Sequence, residues 1–349
     1  MKTITLKEAS RARTAPTAPQ RKNVTANGSF TKPITAPFHS LLRLKSILVP
    51  VDFSMPSKNA LEYALPLIEQ FGAKLTLMHV VEPGPLPAFA TAFPPPMAKD
   101  DAADMCLNQL ELLIKQNALD PKRVKTVVCR GRAAYEITSM ARRLKADLII
   151  MSTHGCTGLK HTFLGSTAER VVRHAPCPVL VVRNQPPLLA GKNSHLKLDK
   201  ILVPLDFSDC SLFALKYSTA LAREFHASQS LLHAVHPDYY FSNSDFDVIN
   251  YAMLMEYTRK AGLNQMKALL KHRHFAGLNV SGEVHVGHPI TEILNAAKRR
   301  DVDLIVLSTH GRTGLKRVLL GSTAENVIRL ASCPVLVVRK PEHEFVRGN

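Results

Sequence analysis

One 32-residue stretch occurs twice in this chain and decides what the rest of it can be. Ser152–Arg183 reads STHGCTGLKHTFLGSTAERVVRHAPCPVLVVR and Ser308–Arg339 reads STHGRTGLKRVLLGSTAENVIRLASCPVLVVR; aligned without a gap, 24 of the 32 positions are identical. Self-similarity on this scale fixes a plan of two related domains before any single residue is weighed. A chain of 349 residues is long enough to bury two such cores.

Each copy follows a short apolar run, Asp147–Ser152 (DLIIMS) and Asp303–Ser308 (DLIVLS). Runs of this length rich in Ile, Leu and Val suit strands buried on both faces. Each run empties into a glycine-containing loop, with Gly155 and Gly158 in one copy and Gly311 and Gly314 in the other. Gly-Ser-Thr follows at Gly165–Thr167 and Gly321–Thr323, where a helical pattern begins with Ser or Thr as its expected cap. A strand, a small-residue loop and a helix N-terminus together bind anions. Bare backbone N–H groups and the positive end of the helix dipole converge, and glycine admits a phosphate closely. Nearby cations are Lys160 in the first copy and Arg312, Lys316 and Arg317 in the second.

The spacing Ser152-x2-Gly155-x9-Gly165-Ser166 recurs as Ser308-x2-Gly311-x9-Gly321-Ser322. It resembles the nucleotide-binding signature of the universal stress protein family: glycine, two residues, glycine, nine residues, then Gly-Ser/Thr. Serine replaces the first glycine in both copies, keeping a small residue at the turn but adding a Cβ. With the flanking strands, the resemblance covers nearly everything after Leu44 as two tandem family domains. It implies Rossmann-like, adenine nucleotide alpha hydrolase-like domains that take ATP, with Mg as a companion ion. It also implies pairing of the two domains through their fifth strands, and assembly of the chain into a homodimer.

The remaining pattern fits that plan. ILVPV at Ile47–Val51 and ILVPL at Ile201–Leu205 read as opening strands, each running into Asp-Phe-Ser. Helical patterns follow at Ser57–Phe71 and Asp209–Phe225, then second strands at Lys74–Val81 and Gln229–Val235. Long connections at Glu82–Met97 and His236–Asn250 read as lids or loops. Further helices near Lys99–Asn117 and Tyr251–His272 lead to strands Val124–Arg130 and Asn279–Val286. Helices Ala133–Leu144 and Pro289–Arg299 precede the signature strands, and Cys177–Arg183 and Cys333–Arg339 close each unit as strand five. Alternating strands and helices predict an α/β fold of two doubly wound domains, each a five-stranded parallel sheet with helices on both faces. The expected boundaries are a basic, disordered tail at 1–44, domains at 45–183 and 201–340, and a linker at 184–200.

In such sheets ligands sit beyond the carboxyl ends of the strands at the switch point. Strand one brings Pro50, Val51 and Asp52 there, and Pro204, Leu205 and Asp206. The resemblance puts both aspartates at the adenine end, against a plainer reading as caps of the following helix. It adds Val80 and Val235 as packing for the base, and Met151 with Ser152 and Leu307 with Ser308 at the signature strands. Ser166, Thr167, Ser322 and Thr323 face the phosphates. Where the second copy has Arg312 the first has Cys156. The second copy is therefore expected to bind nucleotide at least as well.

Composition narrows the alternatives. No apolar run approaches the roughly 20 residues of a membrane span, and six scattered cysteines without CxxC spacing suit reduced, cytoplasmic thiols. Of the net charge of +17, residues 1–45 supply +8 from nine Lys/Arg and one Glu, leaving no dense basic stripe in the domains. With aromatics at 6% and no Trp, nucleic-acid binding is disfavoured, although GxxG loops also clamp RNA in KH domains. The pairs His233/His236, His272/His274 and His285/His288 lack the company that zinc requires. No P-loop, nucleophile elbow or acid–base pair recurs. The expected function is an ATP-binding regulatory protein with at most slow hydrolysis. A scaffold of the same fold that does without nucleotide is the alternative.

Overall fold

A computed structural model describes residues 3–5, 42–83, 101–153, 165–183, 189–190, 195–236, 248–309 and 320–339. The first domain runs β2 (Ser46–Pro50), α1 (Met55–Phe71), β3 (Lys74–Val81), α2 (Asp101–Gln116), β4 (Val124–Arg130), α3 (Ala133–Leu144), β5 (Leu148–Ser152), α4 (Ser166–His174) and β6 (Val179–Val182); β1 (Thr3–Thr5) precedes it. A short hairpin, β7 (Leu189–Ala190) with β8 (His195–Leu196), lies in the linker. The second domain repeats the order as β9 (Lys200–Pro204), α5 (Asp209–Glu224), β10 (Ser228–Val235), α6 (Val248–Leu270), β11 (Val280–Val286), α7 (Pro289–Arg300), β12 (Leu304–Ser308), α8 (Ser322–Leu330) and β13 (Val335–Val338).

All strands except the linker hairpin belong to one sheet of eleven, ordered β1-β11-β10-β9-β12-β13-β6-β5-β2-β3-β4. Within each domain the order is third, second, first, fourth, fifth strand, every neighbour parallel. Two domains share the sheet because their fifth strands pair antiparallel, Val335 opposite Val181, Leu336 opposite Leu180 and Val337 opposite Val179. All four residues of each VLVV run are buried, as a strand covered on both faces requires.

Alternation along the strands divides the core. Leu148 and Ile150 face the layer of α1, α2, α5 and α6, with Leu61, Leu110, Leu215 and Met266. Ile149 and Met151 face the opposite layer, with Ile137, Val171, Ile293 and Val327 from α3, α4, α7 and α8. Leu180 and Leu336 on one face, and Val181 and Val337 on the other, carry both layers across the junction without a break.

Two arginines lock that junction. Arg183 Nη1 donates to the carbonyl of Ala331, the residue closing α8, at 2.6 Å, and Arg339 donates to the carbonyl of Arg173 in the last turn of α4. A cation at a helix C-terminus meets both the orphan carbonyls and the negative end of the dipole.

Among the described residues of the N-terminal segment, Leu42 and Leu44 are buried and Thr3–Thr5 form a strand. Thr3–Thr5 pair antiparallel with β11, Thr3 opposite Glu283, Ile4 opposite Gly282 and Thr5 opposite Ser281. The strand covers backbone groups that the edge of the second domain would otherwise present to water. In the linker, the hairpin and the early start of β9 at Lys200 replace a featureless connection. Among the described residues no helix is long and apolar enough to cross a membrane.

The reciprocal clamp gives a measurable consequence. Arg183→Ala removes a charged donor from a helix-end carbonyl, and is expected to cost about 2 kcal/mol. Urea unfolding should show the midpoint falling with its slope unchanged; an unmoved midpoint would mean the arginine contributes nothing.

Candidate functional site

At the switch point of each domain one ladder stops early. First and fourth strands pair only at Ile47–Leu148 and Leu48–Ile149, and at Ile201–Leu304 and Leu202–Ile305. The amide of Val51 donates to Met78 on β3 at 2.8 Å, and that of Leu205 to Leu232 on β10 at 2.7 Å. Successive amides along a strand alternate sides. Pro50 and Pro204 therefore turn toward the fourth strand the position where they have no N–H to give. Beyond it β2 stays with β3 and β5 with β6, so the carboxyl ends part at the switch point.

Past each proline the chain makes the same turn twice. Asp206 Oδ1 accepts from the Ser208 amide at 3.0 Å and from its hydroxyl at 2.6 Å, and Ser208 caps α5 by accepting from the Ser211 amide at 3.2 Å. Asp52, Ser54 and Ser57 repeat the arrangement. The serine is thus the cap, and the aspartate steers it. Between them Phe53 and Phe207 take φ of 65° and 60°, a left-handed backbone unusual for a bulky residue. Each ring packs against a histidine, Phe53 on His79 at 4.5 Å and Phe207 on His233 at 4.7 Å between centroids. His79 Nδ1 lies 2.8 Å from the Val51 carbonyl and His233 Nδ1 2.7 Å from that of Leu205. A carbonyl only accepts, so Nδ1 carries the proton in both rings.

The opposite wall begins at Ser152 and Ser308, the ends of β5 and β12. Neither has positive φ, so the backbone here does not require the family's glycine. Gly165 and Gly321 occupy the N-cap positions of α4 and α8, and neither helix has a side-chain cap. The expected Ser or Thr cap is corrected on this point: Ser166 and Ser322 are the first helical residues. The glycine is needed against the protein itself. Its amide donates to Thr153 or Thr309 at 2.9 Å, and a Cβ would come within 2.9 Å of the Thr153 oxygen or 3.1 Å of the Thr309 oxygen. First-turn amides of both helices have no intrahelical acceptor.

In the second domain these walls enclose a cleft of about 660 Å³. Of the residues expected there, Pro204, Leu205, Asp206, Val235, Leu307, Ser308, Gly321, Ser322 and Thr323 all line it. Gly155, Gly311, Arg312 and the other loop cations lie outside the described residues. In the first domain Pro50, Val51 and Asp52 end β2, Met151 and Ser152 end β5, and Gly165–Thr167 open α4. Val80 and Val235, both expected beside the base, do not occupy equivalent positions. Val80 is opposite Cys129 and packs in the layer of α3 and α4, whereas Val235 is opposite Val286 and packs in the other layer. Val81 is the counterpart of Val235.

Sequence reasoning missed the rim. His236 and His288 meet edge to face there at 4.8 Å, and Thr258 and Asn326 also line the cleft. In the first repeat Glu82 and Arg132 take the histidines' places, and Glu82 Oε1 accepts from the Ala133 amide at 2.7 Å. The remaining histidines of the three pairs are in structural use. His272 caps a short 3₁₀ turn (Arg273–Phe275) and stacks on His274, while His285 lies between Glu283 and Glu292 at 3.0 and 2.7 Å. Burial first, then Glu136, raises the Cys129 thiol above its ordinary range, keeping it protonated.

The family model for universal stress proteins matches residues 43–183 and again 197–339. The chain belongs to the universal stress protein family. A universal stress protein of Methanocaldococcus jannaschii is 37% identical over 157 residues, 44% of this chain and 89% of the relative. One from Mycolicibacterium smegmatis aligns along both domains, at 26% identity over 301 residues, 84% of this chain and 96% of the relative. The crystal structure of a universal stress protein from Archaeoglobus fulgidus superimposes with a TM-score of 0.57 at 19% identity, covering 85% of this chain and 99% of that one. The likeness confirms a tandem universal stress protein fold of two Rossmann-type domains.

The left-handed phenylalanine sets two effects against each other. Phe207→Gly relieves backbone strain of about 1–2 kcal/mol, but it empties a site where the ring is 7% exposed. Losing a buried phenyl costs about 3–5 kcal/mol. The variant should therefore be less stable by about 2 kcal/mol; a raised denaturation midpoint would show that strain dominates.

Proposed function

We propose that each domain of this universal stress protein binds an adenine nucleotide, with the second domain the stronger site. The observation that carries the reading is the cleft of about 660 Å³, which joins Asp206 and Val235 on one wall to the uncapped start of α8 on the other. The base lies toward Asp206 and Val235, where a carboxylate accepts an amino proton and apolar surface packs the ring. The triphosphate, with Mg as its companion, lies toward Ser308 and Gly321–Thr323, where first-turn amides and hydroxyls donate to anions. In sequence, Gly311 and Arg312 fall between Ser308 and Gly321.

The first domain offers the same backbone with a less favourable rim. Glu82 stands where the second has His236, a carboxylate against an incoming polyanion, and Cys156 stands where the second has Arg312. Bound nucleotide acts by biasing conformation or assembly, with at most slow turnover. The fifth-strand edges are consumed inside the chain, so a homodimer has to form through another surface.

Ser322→Glu separates nucleotide binding from fold. Ser322 is exposed at the first helical position of α8, so an acidic residue there should stabilise the helix by about 0.3–1 kcal/mol. The same charge repels phosphate, and ATP affinity measured by calorimetry should fall about tenfold or more. Unchanged affinity in a folded variant would remove the start of α8 as the phosphate site, and absence of saturable ATP binding by the unaltered protein would favour the nucleotide-independent scaffold.

The asymmetry has its own test. Glu82→His should tighten the first site, bringing ATP stoichiometry closer to two per chain at concentrations that otherwise fill only the second. No gain in occupancy would remove Glu82 as the cause of the difference.

A further inference from the structure

A second cavity, of about 510 Å³, lies between the two domains and shares no lining residue with the nucleotide cleft. Its lining includes Leu180 and Leu336 on the paired fifth strands, Leu67 and Phe71 of α1, and Leu221 and Phe225 of α5. These are the same three positions from each repeat, so the pseudo-twofold relating the domains runs through the space. Phe71 and Phe225 meet edge-on at 6.3 Å, and Gln70 Nε2 donates to Glu224 Oε1 at 3.4 Å, so the two helices touch at their C-terminal ends. Leu42, Leu44, Leu196 and Leu198 add further apolar surface.

Protein interiors rarely leave voids larger than a water molecule, whose share of liquid volume is about 30 Å³. A space this size is instead that of a small-molecule site, for which domain interfaces are a preferred place. The polar groups around it are few. Asp303 Oδ2 is engaged by the amides of Asp199 and Lys200, both at 2.8 Å. Burial, with Cys333 and Asp303 adding to it, pushes the Tyr63 hydroxyl up to about 12, and burial likewise pushes the Cys333 thiol up to about 12. Both lining groups therefore stay neutral. Exposed charge is confined to Lys197, Lys298 and Asp301, which marks the rim. Lys197 lies 3.3 Å from Asp199, and the chain as a whole carries +17.

We propose that this cavity binds a fatty-acid-like amphiphile, its single aliphatic chain lying across Leu180 and Leu336 and its anionic headgroup at the rim beside Lys298. Apolar walls from both repeats select the chain, and the exposed ammonium selects charge at one end only. The ligand bridges the domains at their junction, remote from the carboxyl ends of the strands where nucleotide is placed.

Calorimetric titration of the full-length protein with dodecanoate below its micelle concentration tests this, with and without saturating ATP. One molecule should bind per chain, and saturating ATP should not displace it. Leu336→Trp fills the space and should weaken binding at least about tenfold. Lys298→Glu, an exposed change that leaves the core intact, should weaken dodecanoate about threefold and leave 1-dodecanol unchanged. Absence of saturable uptake by the full chain overturns the proposal, whether the space is empty or filled by the chain's own segments. So does competition by ATP, which would place the carboxylate in the nucleotide cleft. If Leu336→Trp does not fold, equal loss of acid and alcohol, or loss of neither, in Lys298→Glu overturns the headgroup assignment.

Discussion

Everything in this molecule hangs on the antiparallel contact between two copies of the same strand. Each VLVV run is buried on both faces and would be an open, flat, apolar edge if its domain stood alone. Pairing Val335–Val337 with Val181–Val179 removes both edges at once and makes one sheet of eleven strands. Isologous contact is the usual product of a twofold dimer. Here duplication of the sequence supplies it within one chain, which frees the association from protein concentration. The residual edges are treated unequally: β11 receives Thr3–Thr5, while β4 ends the sheet on the other side.

The clefts follow from a smaller constraint. A parallel sheet has no reason to open unless a ladder fails, and the failure here is the missing amide of Pro50 and Pro204 on the side facing the fourth strand. Once β2 and β9 part from β5 and β12, the next residues must turn sharply into a helix. Asp52 and Asp206 organise that turn by holding the capping serine, and His79 and His233 fix the carbonyl before it. The left-handed phenylalanines are tolerated because their rings are packed, not because the backbone favours them. Strain next to a ligand cleft is common where surrounding contacts over-determine a conformation.

Much of this was legible in the residues. The repeat predicted two domains, apolar runs located the strands to within about two residues, and the residues expected at the second domain's switch point line one cleft. What was not legible has physical reasons. Thr3–Thr5 show no period because a three-residue strand is specified by the edge it covers. The serine after Gly165 looked like a cap because propensity favours serine there; the cap is glycine because a Cβ at that position would meet the Thr153 carbonyl. Val80 and Val235 face opposite layers because their neighbours Cys129 and Val286 stand one register apart in the repeat, and a shift of one residue moves a side chain to the other face. His236 and His288 were weighed only within their local pairs, and their mutual contact gave no signal because it joins two segments far apart in sequence.

Helices α4 and α8 join the two scales. Their N-termini form one wall of each cleft, and their C-terminal carbonyls are held by Arg339 and Arg183 from the other domain's fifth strand. At the end of α4, burial first, then Arg173, Arg339 and Arg142, holds His174 below its ordinary range. That helix end is therefore already rich in cations that complement its dipole. Each helix spans nine residues, about 13 Å at 1.5 Å per residue, and so is too short to bend appreciably. A displacement at its N-terminal end must then be taken up at the arginine clamp, where the partner domain begins. The duplicated strand that closes the sheet is the same element through which each cleft is mechanically joined to the other.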